Sequence, residues 1–241
     1  MLFRSGIRSI GLTTNGVLFA QQGETLAAAG LDAVNFSLDS LDPAAFASIT
    51  RRDALPEVLE GIRLSLKLGL RTKINCVPLQ GTDEEGLVRI AGLAKLYPLD
   101  VRFIELMPIG QGRSFSPMGN GRVLHLLSQA YGEPRLSDAA HGSGPAVYYD
   151  FPGFKGGIGL ISPISGVFCQ SCNRIRLTAD STLRPCLCYQ QGIRLIPLLR
   201  SGISDEMLRE TLKEAIFHKP LRHNFLCGGG DETKKMVQIG G

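Results

Sequence analysis

Strand-like and helix-like runs alternate through the first 107 residues, and no other feature narrows the fold as far. IRSIGLTTNG (residues 7–16) reads as a strand ending in a turn, and QQGETLAAAGL as a helix stopped by glycine. AVNFSLD is a second strand. DPAAFASIT begins a helix, with Asp42 as its cap and Pro43 in its first turn. LPEVLEGIRLSLKLGL has apolar positions at helical spacing, RTKINCVPL is a third strand, DEEGLVRIAGLAKLY a helix and LDVRFIELM a fourth strand. Strands alternating with amphipathic helices predict an α/β fold of βα units on a parallel sheet, with four strands up to Met107. The pattern opens almost inside a strand, with no helix or cap before it. On that ground the expected chain is one that lacks an N-terminal portion.

Beyond Met107 the composition shifts. PIGQGRSFSPMGNG reads as a loop, GRVLHLLSQAYG as a helix and residues 132–144 as a polar connection. AVYYDF and GGIGLISPI look like strands, and RIRLTAD and TLRPCL like two more around a turn. IRLIPLLRSG and SDEMLRETLKEAIF read as helices, the second capped by Ser204, before a glycine-rich tail. The division predicted from this shift puts residues 1–110 in one domain and 111–241 in another.

Bulk properties set limits on function. The net charge is only +4, and the 26 lysines and arginines form no dense run, so a local anionic ligand explains the balance as well as nucleic acid does. Neither a signal peptide nor a membrane-length apolar stretch is present, which makes the cytoplasm the expected compartment and a membrane partner unexpected. Four of the six cysteines fall between residues 169 and 188, and clustered cytosolic cysteines are more often metal ligands or catalytic groups than disulfides.

The expected parallel strands all end in polar groups, where enzymes on βα barrels place their sites. The first ends in Thr13, Thr14, Asn15 and Gly16. The second ends in Ser37 and Asp39, which share a face at period two. The third carries Lys73 and Asn75 on one face. The fourth carries Arg102 on one face, with Glu105 and Met107 on the other. Nearness to the surface accounts for Asn15 and Asp39. Lys73 in an otherwise apolar strand either snorkels to water or meets a ligand.

FCQSCNRIRLTADSTLRPCLC (residues 168–188) holds a C-x2-C-x13-C set with Arg174 and Arg176 at alternate positions just after the second cysteine. Cys188 could complete a four-thiolate zinc site. Three thiolates could instead hold a [4Fe–4S] cluster with one iron left open. Guanidinium groups bind phosphate oxygens bidentately and keep their charge when desolvated. Spacing leaves zinc and cluster both open.

The same stretch resembles the C-terminal cluster motif of the MoaA-type GTP 3',8-cyclases, radical S-adenosylmethionine (SAM) enzymes of molybdenum cofactor synthesis. LTTNG, NFSLDSLDP, KIN, RFIELMP and the terminal IGG follow in that family's order. The resemblance implies the last four of six strands of a radical SAM partial (βα) barrel, followed by a C-terminal cluster-binding α+β region. It implies that Cys169, Cys172 and Cys186 hold a [4Fe–4S] cluster whose open iron contacts the purine of GTP. Asn173, Arg174, Arg176, Thr13 and Lys73 are then GTP contacts, and Ser37 and Met107 are SAM contacts. Gly240 and Gly241 form a tail needed for activity. The implied reaction begins when a 5'-deoxyadenosyl radical takes the ribose 3' hydrogen of GTP. The carbon radical attacks C8 of guanine and gives (8S)-3',8-cyclo-7,8-dihydroguanosine 5'-triphosphate. A homodimer and a downstream cyclic pyranopterin monophosphate synthase are the implied partners.

The sequence also departs from the family pattern. The family has an N-terminal C-x3-C-x2-C for a first [4Fe–4S] cluster, which cleaves SAM, and a GGEP-like segment after the next strand. Neither occurs here, and Cys76 and Cys227 stand alone. The expectation is a chain inactive by itself, or a paralogue that binds a cluster and GTP without radical chemistry. Ser181 stands where the family usually has a hairpin glycine. Cys188 is extra, and it reads as a small buried hydrophobe or a stray thiol.

Overall fold

The computed structural model describes residues 6–142 and 144–225. Gly240, Gly241 and Cys227 lie outside the described residues.

The first compact unit runs up to Leu106 and resumes at Pro117–Ser162. Its elements are β1 (Gly11–Thr14), α1 (Phe19–Ala28), β2 (Ala33–Ser37), α2 (Pro43–Thr50), α3 (Leu55–Lys67), β3 (Arg71–Cys76), α4 (Glu84–Leu96), β4 (Asp100–Ile104), α5 (Asn120–Tyr131), β5 (Arg135–Leu136), β6 (Val147–Asp150) and β7 (Ile158–Ile161). They build one seven-stranded sheet in the order β1-β2-β3-β4-β7-β6-β5. The expected four parallel strands are all present, and β7 adds a fifth, paired in parallel with β4. Only β6 and β5 run antiparallel. β5 lies in the stretch expected to be a plain connection, where two residues carry too little pattern to show. Because β7 pairs with β4, residues 117–162 belong to this unit. The compact division therefore does not fall at residue 110.

Local chemistry explains the elements. The Asp42 carboxylate accepts from the Ala45 N–H at 2.8 Å and caps α2, with Pro43 in the first turn, as expected. α4 has Asp83 as its cap, Glu84 and Glu85 in its first turn and Lys95 in its last, all suited to the helix dipole. α3 turns Leu55, Val58 and Ile62 inward. Alternate strand residues Val34, Phe36, Ile74, Val101, Phe103 and Ile158 are fully buried beneath the helices. Each such side chain contributes about 1.5–3 kcal/mol relative to exposure. Gly16 closes the turn after β1 at φ +82°, and a Cβ there would lie 2.9 Å from the Phe36 ring. A left-handed backbone and a close neighbour both demand glycine.

The second compact unit comprises Met107–Ser116 and the chain from Pro163 onward. Residues 108–116, expected as a loop, contain a short 3-10 helix at Gly110–Ser114. β8 (Arg176–Leu177), β9 (Thr182–Arg184) and β10 (Ile193–Arg194) form an antiparallel three-stranded sheet, followed by α6 (Leu195–Arg200) and α7 (Asp205–Phe217). The hairpin strands are shorter than expected, and Arg174 precedes β8 instead of lying within it. Ser204 caps α7 by accepting from the Met207 N–H at 3.2 Å. Ile109, Cys188 and Phe225 form this unit's buried apolar cluster, with Met107, Ile164 and Cys186 packed on it.

Candidate functional site

The parallel strands of the first unit carry a polar row across one sheet face. Thr13 pairs in register with Asn35, and Asn75 with Arg102. The Asn35 amide donates to Thr13 Oγ1 at 3.2 Å. Arg102 donates to Asn35 Oδ1 at 2.7 Å and to Asn75 Oδ1 at 2.8 Å. Its guanidinium thus fixes the orientation of both asparagine amides.

Lys73 lies on this sheet but does not snorkel; it is only 9% exposed. Its ammonium pairs with Asp100 Oδ2 at 3.1 Å, donates to Tyr148 Oη at 2.8 Å and donates to the His141 carbonyl. Three donors meet three acceptors. Asp100 is itself fixed, because Oδ1 accepts from the Gly157 N–H and faces His141 Nδ1 at 3.0 Å. The His141 ring stacks on Tyr148 with centroids 3.9 Å apart. Burial pulls the Lys73 pKa below its ordinary value, against the attraction of Asp100. Burial pushes Tyr148 up to about 12, and Asp100 adds to the rise.

Asp39 has a structural task. Its carboxylate accepts from the Val77 N–H at 2.8 Å and bonds the buried Cys76 thiol, tying the end of β2 to the end of β3. Burial raises the pKa of both groups. Ser37 is exposed at the end of β2, in register with Asn75.

The second unit assembles the cysteine stretch. A 3-10 turn at Cys169–Ser171, closed by the Cys172 N–H on the Cys169 carbonyl, joins the first two thiols. The β8–β9 hairpin then returns the chain. Arg176 pairs in register with Arg184, two residues before Cys186. The turn between them is held by Thr178, whose hydroxyl accepts from the Thr182 N–H, and by Ser181 at φ 60°. Cys169, Cys172, Cys186 and Arg176 are partly buried, while Asn173 and Arg174 are exposed. Charge couples these groups: Cys169 and Cys172 both act on Cys186, and Cys172 and Cys186 both act on Arg176.

Each of the three cysteine sulfurs accepts a backbone N–H. The His223 N–H donates to Cys169 Sγ at 3.4 Å. The Arg174 N–H donates to Cys172, and the Cys188 N–H to Cys186. Lys219 Nζ adds a charged donor 3.3 Å from Cys172 Sγ. Burial alone raises the Cys172 thiol, but the Arg174 N–H, Lys219 and the Arg174 charge together bring it below the ordinary thiol value. Burial raises Cys186. Cys188 is different. Its side chain is fully buried in the apolar cluster, and its thiol donates to Asn224 Oδ1 at 3.7 Å. It is thus the small buried group expected from the sequence, and it leaves a set of three thiols. Among the described residues, no three His, Cys, Asp or Glu side chains form a ready single-ion site. A backbone N–H on each of the three sulfurs, with a charged donor added at Cys172, nevertheless suits an iron–sulfur cluster, whose properties depend on such hydrogen bonds.

Sequence reasoning missed Asp100, His141 and Tyr148 around Lys73, and Lys219 and His223 around the cysteines. His141 and Tyr148 lie about seventy residues beyond Lys73 in sequence, and no local pattern marks them. Lys219 follows an exposed helix and reads as an ordinary surface cation.

Two family models and many curated relatives match the chain. The radical SAM superfamily model matches residues 2–94, and the molybdenum cofactor synthesis C model matches residues 99–225. A GTP 3',8-cyclase of Clostridium perfringens is 42% identical over 238 residues, covering 98% of this chain and 73% of the relative. A GTP 3',8-cyclase of Desulforamulus reducens is 45% identical over 242 residues, covering 98% of this chain and 74% of the relative. With both parts matched by family models and relatives aligned along nearly its whole length, the chain belongs to the GTP 3',8-cyclase family of molybdenum cofactor synthesis, within the radical SAM superfamily.

Proposed function

We propose that this chain binds a [4Fe–4S] cluster on Cys169, Cys172 and Cys186 and holds the triphosphate of GTP with Arg174 and Arg176, in the service of GTP 3',8-cyclisation. Membership of the radical SAM superfamily implies an iron–sulfur cluster and SAM as cofactors. The observation that carries the reading is the convergence of N–H donors on three thiols beside two arginines. When bound, a cluster with one open iron supplies a Lewis-acid contact for a purine nitrogen or oxygen. The chain's own groups do the rest. Arg174 and Arg176 offset the charge of the triphosphate, and Asn173 offers a neutral amide beside them. Cyclisation joins ribose C3' to guanine C8 after loss of the 3' hydrogen, so the nucleotide must be held rigidly by both ends. For Thr13 and Lys73 as further GTP contacts, Ser37 and Met107 as SAM contacts, and Gly240 and Gly241 as an active tail, the support is the family resemblance of their motifs; Lys73 would have to give up one of its bonds to Asp100, Tyr148 or the His141 carbonyl to meet the nucleotide.

The test is GTP binding to the anaerobically reconstituted chain, with and without Arg174→Ala plus Arg176→Ala. Hydrogen bonds to charged groups contribute about 1.5–3 kcal/mol each, so losing the pair weakens binding by about a hundredfold or more. Unchanged binding refutes the phosphate assignment.

A second reading concerns radical formation. The 241 residues contain a single clustered set of cysteines, and Cys76 is buried in the first unit against Asp39. We propose that this polypeptide on its own binds cluster and nucleotide without starting the radical reaction. Incubation with SAM, GTP and a strong reductant is then expected to yield no 5'-deoxyadenosine. Any amount above background overturns this.

A further inference from the structure

One segment of the second unit supplies donors to two of the three thiols. Residues 219–225 follow α7 and cross the cysteine turn. Lys219 Nζ donates to the carbonyls of Cys172 and Arg174, both at 2.7 Å, and reaches Cys172 Sγ at 3.3 Å. Four residues on, the His223 N–H donates to Cys169 Sγ. The segment is anchored along its length. The Arg222 carbonyl accepts from Tyr189 Oη at 3.2 Å. His223 Nε2 bonds the Pro163 carbonyl at 2.6 Å, and Asn224 meets the Cys188 thiol. Phe225 is buried beside Cys188 and Ile109.

We propose that residues 219–225 act as a strap that sets the reduction potential of the cluster held by Cys169 and Cys172, with Lys219 as its charged element. The inference rests on the cluster assignment made above. Reduction adds one electron, and thus one negative charge, to a cluster and its thiolates. An ammonium beside a ligating sulfur stabilises the reduced state more than the oxidised state and raises the potential. A backbone N–H on a second sulfur acts in the same direction. Lys219 is a positioning residue as well. By holding the Cys172 and Arg174 carbonyls it fixes the backbone between a cluster ligand and a proposed phosphate-binding arginine.

The test uses the full 241-residue chain, reconstituted anaerobically with iron and sulfide. Iron and sulfide content, the visible spectrum and a redox titration followed by electron paramagnetic resonance are measured. Wild type, Lys219→Met and Lys219→Arg are compared. Methionine keeps the length but removes charge and donors; arginine restores both. The expected result is four irons in each protein. At a fixed applied potential the reduced-to-oxidised ratio falls at least tenfold in K219M, a shift of about 59 mV for a one-electron couple. In K219R most of that shift is recovered. If K219M holds no iron, Lys219→Gln, which keeps a donor without the charge, takes its place in the same comparison. A wild-type potential in the iron-loaded neutral variant overturns the strap proposal and leaves the cluster assignment intact. A wild-type chain that binds no cluster overturns the assignment and the strap with it.

Discussion

Replacing Asp100 with asparagine tests how Lys73 is held. The side chains of the pair are 11% and 15% exposed, and the charged atoms stand 3.1 Å apart. At an effective dielectric constant of about 20, two unit charges at that distance attract by about 5 kcal/mol. Desolvation offsets part of this, but removing one partner of a buried pair exposes that cost, typically about 3–5 kcal/mol. Asp100→Asn leaves the ammonium with Tyr148 and the His141 carbonyl and no counter-charge. The expected loss near neutral pH is therefore about 3–5 kcal/mol, a large share of the stability of an ordinary domain. Lys73→Met costs less, because Asp100 keeps the Gly157 N–H and His141. The double variant recovers about 2 kcal/mol or more relative to additivity. The pH dependence has a definite sign. Burial already holds the folded Lys73 pKa below 10.5, and losing Asp100 removes the largest cause that raises it. Between the lowered folded value and 10.5 the unfolded chain binds more protons, so stability rises with pH in that window. D100N widens the window toward lower pH, and its deficit shrinks as the solution becomes alkaline. Urea denaturation of the four proteins, followed by far-ultraviolet circular dichroism at several pH values, measures all of this. A D100N loss under about 1 kcal/mol, with no coupling to Lys73, would show an ordinary surface pair and refute the reasoning.

Other substitutions probe the elements around the sites. Gly16→Ala meets a left-handed backbone, worth about 1–2 kcal/mol, and an overpacked contact with Phe36, worth about 1–3 kcal/mol; a melting temperature equal to wild type would contradict the turn geometry. Ser181→Gly removes the φ 60° penalty in the β8–β9 turn and is expected to stabilise the chain by a few tenths to about 1 kcal/mol; destabilisation in the same melt would point to an unrecognised role for the hydroxyl. Tyr148 ionises near 12 when folded and near 10 when unfolded, so it costs stability only as pH rises above 10. Tyr148→Phe should remove a late step from the ultraviolet phenolate titration, and an unchanged curve would remove Tyr148 from the Lys73 cluster.

Much of the fold was legible because each cue was local. Asp42 followed by Pro43 marks a helix start in any context, and the structure caps α2 with that carboxylate. Alternating apolar residues through AVNF and KINC mark strands, and both lie in the parallel sheet. β7 was legible as a strand but not as a parallel one. Its partner β4 lies more than fifty residues earlier, and sequence periodicity carries no pairing information over such a gap. The same gap moved the compact division away from residue 110, since α5, β6 and β7 fold back onto strands already formed.

The candidate site divides in the same way, and the division separates the parts by their chemistry. The residues proposed to meet a ligand carry a signature within a few residues: C-x2-C and two arginines at alternate positions, with one lysine in an apolar strand as an equally local cue. Groups that set how strongly those residues act came from elsewhere. Asp100, His141 and Tyr148 hold Lys73 through contacts that span 27 to 75 residues. Lys219 reaches Cys172 across 47, and His223 reaches Cys169 across 54. An isolated lysine after an amphipathic helix carries no sign that its ammonium will sit on a cysteine sulfur. The Cys172 and Arg174 carbonyls hold it there, and His223 and Phe225 anchor the segment that follows it. A short motif therefore indicates which ligand chemistry is available, while long-range contacts shift the charge balance of its residues, as burial and Asp100 do for Lys73 and Lys219 does for Cys172. Substitutions at Asp100 and Lys219 can for that reason change the behaviour of the site while every motif residue stays in place.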